Sequence, residues 1–408
     1  MKILVLNSGS SSEKSCLYEL GESLPEHPQA PLWGAQIDWS SDRGPAELAA
    51  RNCRGSVLKE QLSVESRASA VRRMLATLWE SSVKVIEGPA VIDAVGHRVV
   101  HGGDYREAVD VTPEVKAEIA RLAAFAPLHN SADLEGIEVV EHLLGAVPQT
   151  AVFDTSFHRS LSPAASVYPG PYQWLEQGIR RYGFHGISHR YCAERAAQLL
   201  NRSLESLQLI TCHVGNGCSV TAIRAGQSAD TTMGFTPLEG LMMGTRSGSI
   251  DPGILIHLLR QGAYTPDALN RVLNLESGLL GVSGVSSDMR KVAAAAERGH
   301  SRSKLAIDLF IHRLRSAVGA MLPSLERLDG LVFTAGIGEN SPLIRAAVCN
   351  AFGFLGLKLD KDQNALRQED RDIAARDSAV RVLVVHAEEA WAIACECWNA
   401  AMARRVTP

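Results

Sequence analysis

The 408-residue sequence has few aromatic residues, no excess of basic residues and no long apolar segment. Phe, Trp and Tyr make up 5% of the chain, and 41 Lys and Arg residues face 45 Asp and Glu residues. Because no basic cluster of five or more residues occurs, we expect no nucleic-acid partner. No apolar run reaches the roughly 18–20 residues that cross a bilayer, so no membrane association is expected.

The eight cysteines lack the paired spacing of a metal or redox motif. None stands in a C-x-x-C pair, which predicts reduced thiols in a cytoplasmic protein. Residues 1–7 favour a first strand over a secretory signal, because they lack a long apolar core and a cleavage site. The length, at about 100–200 residues per domain, predicts two domains. The 46% hydrophobic content is ample for their cores.

Three apolar segments that favour β-strands each run into a glycine-rich turn. The strand and turn pairs are residues 2–6 with 7–14, 207–212 with 213–219, and 330–334 with 335–341. Further strand candidates, residues 15–20 and 219–224, follow the first two turns and predict two β-hairpins. The third turn precedes a helix candidate, residues 342–350. Two such hairpins far apart in one chain predict two similar domains.

Helical periodicity is present in six further segments, which predicts a protein of the α/β class. These segments are residues 66–79, 113–125, 134–144, 188–200, 304–321 and 388–403. Residues 24–59 show no regular pattern, and no element is assigned to them.

The three turns carry residue types that bind phosphate. Glycines let backbone N–H groups approach an anion, Lys14 adds a charge, and the third turn adds a helix N-terminus. One such turn alone is compatible with an ordinary loop, but three after strands favour a nucleotide site. The P-loop pattern, the H-R-D kinase loop and the third Rossmann glycine are absent. The pattern resembles the actin, sugar-kinase and heat-shock ATPase superfamily.

Four polar side chains stand in sequence contexts that favour a function. Arg98 lies in an apolar strand-like segment, and Asp154 lies among large apolar residues. His185 and Arg246 are each set between glycines in loops. A structural ion pair is the alternative for Arg98. His pairs at 97/101 and 185/189 have zinc-compatible spacing but lack the H-E-x-x-H glutamate, and Gly186 disfavours a helix there.

With these motifs, the sequence resembles the acetokinase family of carboxylate kinases over residues 3–394. The matching segments are residues 7–14, 96–103, 126–130, 152–158, 181–189, 213–219, 230–252, 277–290, 332–341 and 388–389. The resemblance implies reversible phosphoryl transfer from ATP to acetate, giving ADP and acetyl phosphate, with Mg²⁺ (or Mn²⁺) in a homodimer. It also implies two duplicated actin-like (ribonuclease H-like) α/β domains flanking an interdomain cleft. We expect these domains at residues 1–150 plus 388–404 and at residues 151–387.

The resemblance also implies a role for each matching residue. The catalytic residues would be Asp154, His185 and Arg246, and the metal ligands Asn7 and Glu388. Substrate would be bound by Arg98 and by the apolar residues Val100, Leu128, Phe184 and Pro237. The nucleotide would contact Lys14, His213, Val214, Gly215, Asn216, Gly217, Asp288, Met289, Arg290, Gly336, Ile337, Gly338, Glu339 and Asn340.

Physical chemistry is consistent with these roles. A carboxylate is already ionised at neutral pH, so no base is needed to activate it. Phosphoryl transfer then depends on in-line positioning and on neutralising charge. We therefore interpret Asp154 as orienting Mg²⁺ or its water.

The sequence departs from the family pattern at two places near these residues. Ser249 stands where the family usually has Asp, and the segment around Glu388 is altered so that Glu389 stays an alternative metal ligand.

Three alternatives to acetate phosphorylation predict different biochemistry. Propionate kinase would share the mechanism, because one methylene in an apolar pocket contributes only about 1–3 kcal/mol of selectivity. A non-catalytic or chaperone-like ATPase would need no carboxylate, and a metallohydrolase would hold zinc.

Overall fold

The computed structural model describes residues 1–9, 12–39, 46–63, 66–366 and 370–406. The side chains of Pro127, Leu128 and Val406 lie outside this description. The chain divides into unit 1, Met1–Ser156 with Glu388–Pro408, and unit 2, Phe157–Ala387. Within the described ranges, no helix combines the length and the apolar character that crossing a membrane requires.

Among its described residues, unit 1 contains one mixed sheet and four α-helices. Its strands are β1 (Lys2–Ser8), β2 (Ser12–Glu19), β3 (Trp33–Asp38), β4 (Ala46–Asn52), β5 (Val57–Leu62), β6 (Ala94–Val99), β7 (Val109–Asp110) and β8 (Gln149–Phe153). Its helices are α1 (Arg67–Ala76), α2 (Pro113–Leu122), α3 (Pro127–Leu144) and α15 (Glu389–Val406), the last named for its place in the chain.

The described strands of unit 1 pair in the order β5-β4-β3-β2-β1-β6-β8-β7. The β1 to β5 ladder is antiparallel, whereas β1, β6 and β8 run parallel. The central strand β1 is apolar and buried on both faces, as expected for a strand with parallel pairing. Helix α15 packs on β6 at Gly96, where an added Cβ would lie 2.8 Å from Ile393 Cγ2. This close approach requires glycine.

Unit 2 contains the second sheet. Its strands are β9 (Gln208–Val214), β10 (Cys218–Arg224), β11 (Gln227–Thr231), β12 (Gly330–Thr334), β13 (Arg371–Asp372) and β14 (Arg381–Val384). Its helices are α4 (Pro163–Ser166), α5 (Tyr172–Glu176), α6 (Gly186–Leu199), α7 (Pro252–Arg260), α8 (Pro266–Leu275), α9 (Gly278–Ser283), α10 (Met289–Glu297), α11 (Ser301–Met321), α12 (Ala335–Asn340), α13 (Pro342–Cys349) and α14 (Lys361–Ala365).

The unit 2 strands pair in the order β11-β10-β9-β12-β14-β13. Strands β9, β10 and β11 are antiparallel, β9, β12 and β14 are parallel, and β13 is an antiparallel edge. The series β3-β2-β1-β6-β8-β7 in unit 1 has the same order and the same directions. Unit 1 adds β4 and β5 at one edge. The predicted α/β class and the similarity of the two halves are therefore confirmed.

Four details differ from the sequence-based expectations. The third predicted turn, residues 335–341, is wrong, because Ala335–Asn340 form helix α12. The segment 24–59, to which no element was assigned, contains β3, β4 and the first half of β5. Helix α3 begins at Pro127, earlier than the predicted residue 134. Helix α6 begins at Gly186, so the expectation that Gly186 disfavours a helix was wrong. A glycine at the first helical position is tolerated because it lies outside the helix interior.

Candidate functional site

The candidate site residues of unit 1 include an ion pair at the ends of two parallel strands. Arg98 lies in β6, and Asp154 directly follows the neighbouring strand β8. The Arg98 Nε and Nη2 atoms donate to Asp154 Oδ2 at 3.1 and 2.5 Å. The Arg98 side chain is 12% exposed and that of Asp154 is 1% exposed. The sequence placed both groups in apolar surroundings, and each satisfies the charge of the other.

Asn7 connects this pair to helix α15. Arg98 Nη1 donates to Asn7 Oδ1 at 3.3 Å and to the Ser8 carbonyl at 3.1 Å. Asn7 Nδ2 donates to Glu389 Oε2 at 3.0 Å. Asn7 can reach both partners because β1 and β6 are adjacent in the sheet.

Glu388, the residue first assigned to the metal, contributes elsewhere in unit 1. Burial raises the pKa of the Cys16 thiol to about 11, and the Glu388 carboxylate adds to this rise. Glu389, the alternative ligand, is the carboxylate that contacts Asn7.

The charge of Arg98 is maintained by its neighbours. Burial opposes the charged form, but the carboxylates of Asp154 and Glu389 outweigh it, and the pKa of Arg98 is raised. The described hydrogen bonds use four N–H groups of Arg98. A guanidinium carries five N–H groups, so one on Nη2 has no acceptor among the residues that the structure describes.

Two further buried carboxylates line this region of unit 1. Glu13 accepts from Ser8 Oγ at 2.9 Å and from Arg67 Nη2 at 2.9 Å. Asp133 Oδ2 accepts the backbone N–H of Val100 at 2.9 Å. Burial raises the pKa of both carboxyl groups, and that of Asp133 lies well above its usual range. Neither Glu13 nor Asp133 stands out by a motif in the sequence.

The candidate site residues of unit 2 are grouped around His185. This residue precedes α6 with a left-handed backbone, φ 57°, which is uncommon for a residue other than glycine. Its Nδ1 lies 2.9 Å from Ser219 Oγ on β10. Its ring stacks on that of His213, with centroids 4.1 Å apart. His213 Nδ1 is in turn 2.8 Å from Ser188 Oγ.

The turn between β9 and β10 lies against His185 and Arg246. A Cβ on Gly217 would be 3.3 Å from His185 Nε2 and 3.7 Å from Arg246 Nη1. Arg246 Nη1 also donates to the Pro237 carbonyl at 3.5 Å. A Cβ on Gly244 would overlap Asn216 Oδ1 at 1.9 Å, so the Arg246 loop packs directly on this turn.

The same turn adjoins the other segments assigned to the nucleotide. A Cβ on Gly215 would lie 3.5 Å from Ala335 Cβ and 3.8 Å from the Gly336 nitrogen. A Cβ on Gly244 would lie 3.3 Å from the Ser287 carbonyl, next to Asp288. The structure thus brings the turn at 215–217, the Arg246 loop and the starts of α10 and α12 together within unit 2.

The remaining nucleotide residues occupy these same segments. Val214 ends β9, Met289 starts α10, and Ile337 and Gly338 lie in α12. Asp288 caps α10 and pairs with Arg290, which holds the pKa of Asp288 below its usual value. Glu339 accepts the Ala387 N–H at 2.8 Å, and Asn340 donates to the Gly336 carbonyl at 3.0 Å.

The remaining predicted residues have simple placements. Lys14 is exposed and faces Asn7 across the β1–β2 ladder, and Ser10 and Ser11 of that turn lie outside the described residues. Val100 is buried in unit 1, Phe184 is buried in unit 2, and Pro237 is half-buried. Leu128 is in α3, but its side chain is outside the description.

The His pairs considered for zinc make other contacts. His97 Nε2 lies 2.6 Å from Gln149 Oε1. His189 Nδ1 and Nε2 lie 2.6 Å from Thr211 Oγ1 and 2.7 Å from Ser219 Oγ. Sequence reasoning missed Ser219 and His189 as partners of His185. The signal for His189 was its spacing of four residues, which α6 turns into proximity.

Known proteins match this chain over almost its whole length. Residues 2–395 match the model of the acetokinase family. The acetate kinase of Gloeobacter violaceus is 61% identical over 402 residues, covering 98% of this chain and 99% of the relative. That of Cyanothece sp. is 60% identical over 400 residues, with 98% of each chain covered.

Two solved structures resemble this fold closely. The Porphyromonas gingivalis acetate kinase superposes with a TM-score of 0.88 at 37% identity, covering 98% of this chain and 99% of that one. A Francisella tularensis propionate kinase gives a TM-score of 0.88 at 36% identity over the same shares.

Proposed function

Because the chain belongs to the acetokinase family, we propose that it catalyses reversible phosphoryl transfer from ATP to acetate, giving ADP and acetyl phosphate. The observation that carries this proposal is Arg98, a buried guanidinium at a strand end. Asp154, Asn7 and Ser8 take four of its N–H groups, and the fifth, on Nη2, has no acceptor within the described ranges and would bind a substrate carboxylate.

The acceptor substrate needs no general base. A carboxylate such as acetate is ionised at neutral pH and is itself the nucleophile. Two hydrogen bonds from Arg98 fix the Asp154 carboxylate, which supports a role in orienting Mg²⁺ or its water rather than in proton transfer. The apolar residues proposed to contact the methyl group remain Val100, Leu128, Phe184 and Pro237.

We assign the nucleotide to unit 2. The turn at Gly215–Gly217 lets backbone N–H groups approach phosphates, and Gly336 stands near the start of α12 beside it. His185 and Arg246 adjoin this turn and would stabilise charge on the transferred phosphoryl group.

We further propose Mg²⁺, with Mn²⁺ as an alternative, bound in unit 1. The Glu389 carboxylate, which accepts a hydrogen bond from Asn7 Nδ2, is a hard oxygen donor of the kind that suits Mg²⁺, and Asn7 would add its amide oxygen only by giving up its contact with Arg98. When bound, the ion would neutralise charge on the phosphates of ATP. Glu388 and Glu389 are both candidate ligands, and the Asn7 contact favours Glu389.

The activity is tested by trapping acyl phosphate as its hydroxamate with MgATP and acetate, propionate or butyrate. We expect acetate-dependent ADP release and the highest kcat/KM with acetate. Arg98→Leu should abolish carboxylate-dependent turnover while ATP binding persists. ADP release that does not depend on a carboxylate would refute a kinase, and a preference for propionate would refute the acceptor.

The metal ligand is tested by comparing Glu388→Gln with Glu389→Gln in a Mg²⁺ titration. Since both are conservative changes at the start of α15, each serves as the control for the other. We expect the larger rise in the Mg²⁺ concentration for half-maximal activity with Glu389→Gln. A rise confined to Glu388→Gln would assign the ligand to Glu388.

We also propose a homodimer, supported by helix α7. Ile254, Ile256 and Leu259 in this helix are 48%, 51% and 39% exposed. A helix that is apolar on its exposed side needs a partner surface. Ile256→Lys should shift the sedimentation coefficient from dimer to monomer, whereas Val57→Lys, an exposed apolar site in unit 1, should not. A wild-type monomer at micromolar concentration would contradict this proposal.

The eight cysteines are free thiols, which supports a reducing compartment, and we propose the cytoplasm. Fractionation of the cells that produce the protein tests this directly.

A further inference from the structure

His185 has an imidazole that its own backbone does not orient. His185 lies in the short segment between Gly183 and the first residue of α6, and its φ is 57°. Rotation about the side-chain bonds would move Nε2 by several ångströms, and a catalytic group loses effect when it is misplaced by about 1 Å. Something outside this short segment must therefore hold the ring.

Ser219 is the side chain that reaches the inner nitrogen of this ring. It lies in β10, is completely buried, and places Oγ 2.9 Å from His185 Nδ1. The same Oγ lies 2.7 Å from His189 Nε2, and His189 Nδ1 lies 2.6 Å from Thr211 Oγ1 on β9. A continuous chain of hydrogen bonds thus runs from His185 into the core of unit 2.

The chain is anchored at more than one point. His189 is completely buried one helical turn after His185, and its backbone N–H donates to the His185 carbonyl at 2.9 Å. Strands β9 and β10 are paired at Ser219 with His213 and at Thr221 with Thr211. The hydroxyl of Ser219 therefore has a fixed position relative to both imidazoles.

The hydrogen-bond directions can be worked out for a positively charged His185. Such a ring donates from both nitrogens, so Ser219 Oγ accepts from Nδ1 and must donate its own hydrogen to His189 Nε2. Burial lowers the pKa of His189 well below its usual value, so His189 is neutral and donates from Nδ1 to Thr211. Each hydrogen bond of the series from His185 Nδ1 to Thr211 Oγ1 then has one donor and one acceptor, and His185 Nε2–H faces the turn at Gly217.

We propose that Ser219, backed by His189, is a positioning residue that fixes the His185 imidazole with Nε2 directed at the turn at Gly217. This inference rests on the proposed function, in which His185 stabilises the transferred phosphoryl group. Ser219 acts through His185 and touches no substrate.

A purely structural role for Ser219 predicts a different outcome from a positioning role. If Ser219 only satisfies buried polar atoms, its removal harms the protein equally whether or not His185 is present. If Ser219 acts through His185, removing Ser219 should lower kcat no further once His185 has been replaced.

The experiment is a double-mutant cycle with Ser219→Ala and His185→Ala, measured by hydroxamate trapping. In the proposed function His185 carries a positive charge, so Ser219→Ala would remove a hydrogen bond to a charged group and should lower kcat about tenfold to a hundredfold. The KM values for acetate and MgATP should stay within about threefold, because the lost contact acts in the transition state. In the His185→Ala background, the same change should alter kcat less than about twofold.

The matched control is Thr221→Val, which removes another completely buried hydroxyl from β10, one that pairs with Thr231. It should leave kcat within about twofold of wild type. Ser219→Cys fills the same space with a poorly accepting thiol, and it provides the same measurement should Ser219→Ala fail to fold.

Equal losses of kcat in both backgrounds, or a loss in the Ser219 variants no larger than in Thr221→Val, would overturn the proposal. A wild-type protein without acyl phosphate formation would instead refute the proposed function, so the two failures are distinguishable.

Discussion

Replacing Asp154 with Asn tests how the ion pair of Arg98 and Asp154 in unit 1 works. Asp154 is 1% exposed, and a single carboxylate oxygen accepts both hydrogen bonds from Arg98. Asn keeps the shape and one acceptor oxygen but removes the negative charge. Arg98 then keeps its contacts to Asn7 and Ser8, which are neutral.

The size of the effect follows from this geometry. Breaking a buried ion pair costs about 3–5 kcal/mol of folding stability, and the retained acceptor oxygen reduces this to about 2–3 kcal/mol. In the proposed function Arg98 acts only while this pair holds it, so we expect a loss of transition-state stabilisation of similar size. At 1.36 kcal/mol per factor of ten, that loss is roughly 30- to 150-fold in rate. We expect it in kcat, because a less neutralised Arg98 attracts ground-state acetate at least as strongly as before.

The assay is acyl-phosphate trapping at saturating Mg²⁺, with kcat and the KM for acetate determined for each variant. Asp133→Asn is the matched control, since it also alters a buried carboxyl group of unit 1. Burial raises the pKa of Asp133 well above its usual range and so disfavours its charged form, whereas Asp154 is paired with the Arg98 cation. Full kcat for Asp154→Asn at saturating Mg²⁺ would refute the reasoning.

Two predictions concern stability. Burial lowers the pKa of His97 to about 4, so the unfolded chain takes up a proton first and stability falls as the pH drops from 6.5 towards 4. Between about pH 7 and pH 5, the free energy of unfolding should therefore fall by about 2 kcal/mol less in His97→Gln than in wild type, as measured by urea unfolding. An equal fall in both proteins would contradict this. Arg67→Met leaves Glu13 buried without its cation and should cost about 3 kcal/mol. Arg73→Met, which breaks a half-exposed pair with Glu60, should cost less than about 1 kcal/mol, and equal costs would refute the distinction.

The regular core of both sheets could be predicted because local pattern and burial agree there. Strands β1 and β9 are continuous apolar runs that end in glycine turns, and both occur as expected. Strands β3 to β5 were not predicted, because residues such as Gly34 and Glu60 weaken their alternation of apolar and polar positions. Strand β3 is stabilised by pairing with β2, and β4 and β5 extend that ladder in turn, which are contacts that no local pattern reports.

The candidate site was predictable by residue type but not by contact. Arg98 and Asp154 could be singled out because each is a charge among apolar residues, and the structure pairs them. Which of Glu388 and Glu389 reaches Asn7 depends on the phase of α15, and a single sequence does not define that phase. Ser219 could not be singled out, because a serine within a strand carries no signal of the imidazoles on either side.

The discontinuity of unit 1 has a consequence for biosynthesis. Its sheet is encoded by residues up to Phe153, yet α15, which packs on β6 and carries Glu389, is translated only after the whole of Phe157–Ala387. Unit 2 is contiguous and can complete its fold while the ribosome is still working. Unit 1 must wait with the apolar surface around Gly96 uncovered, so a nascent chain stalled before α15 would be the form most in need of a chaperone.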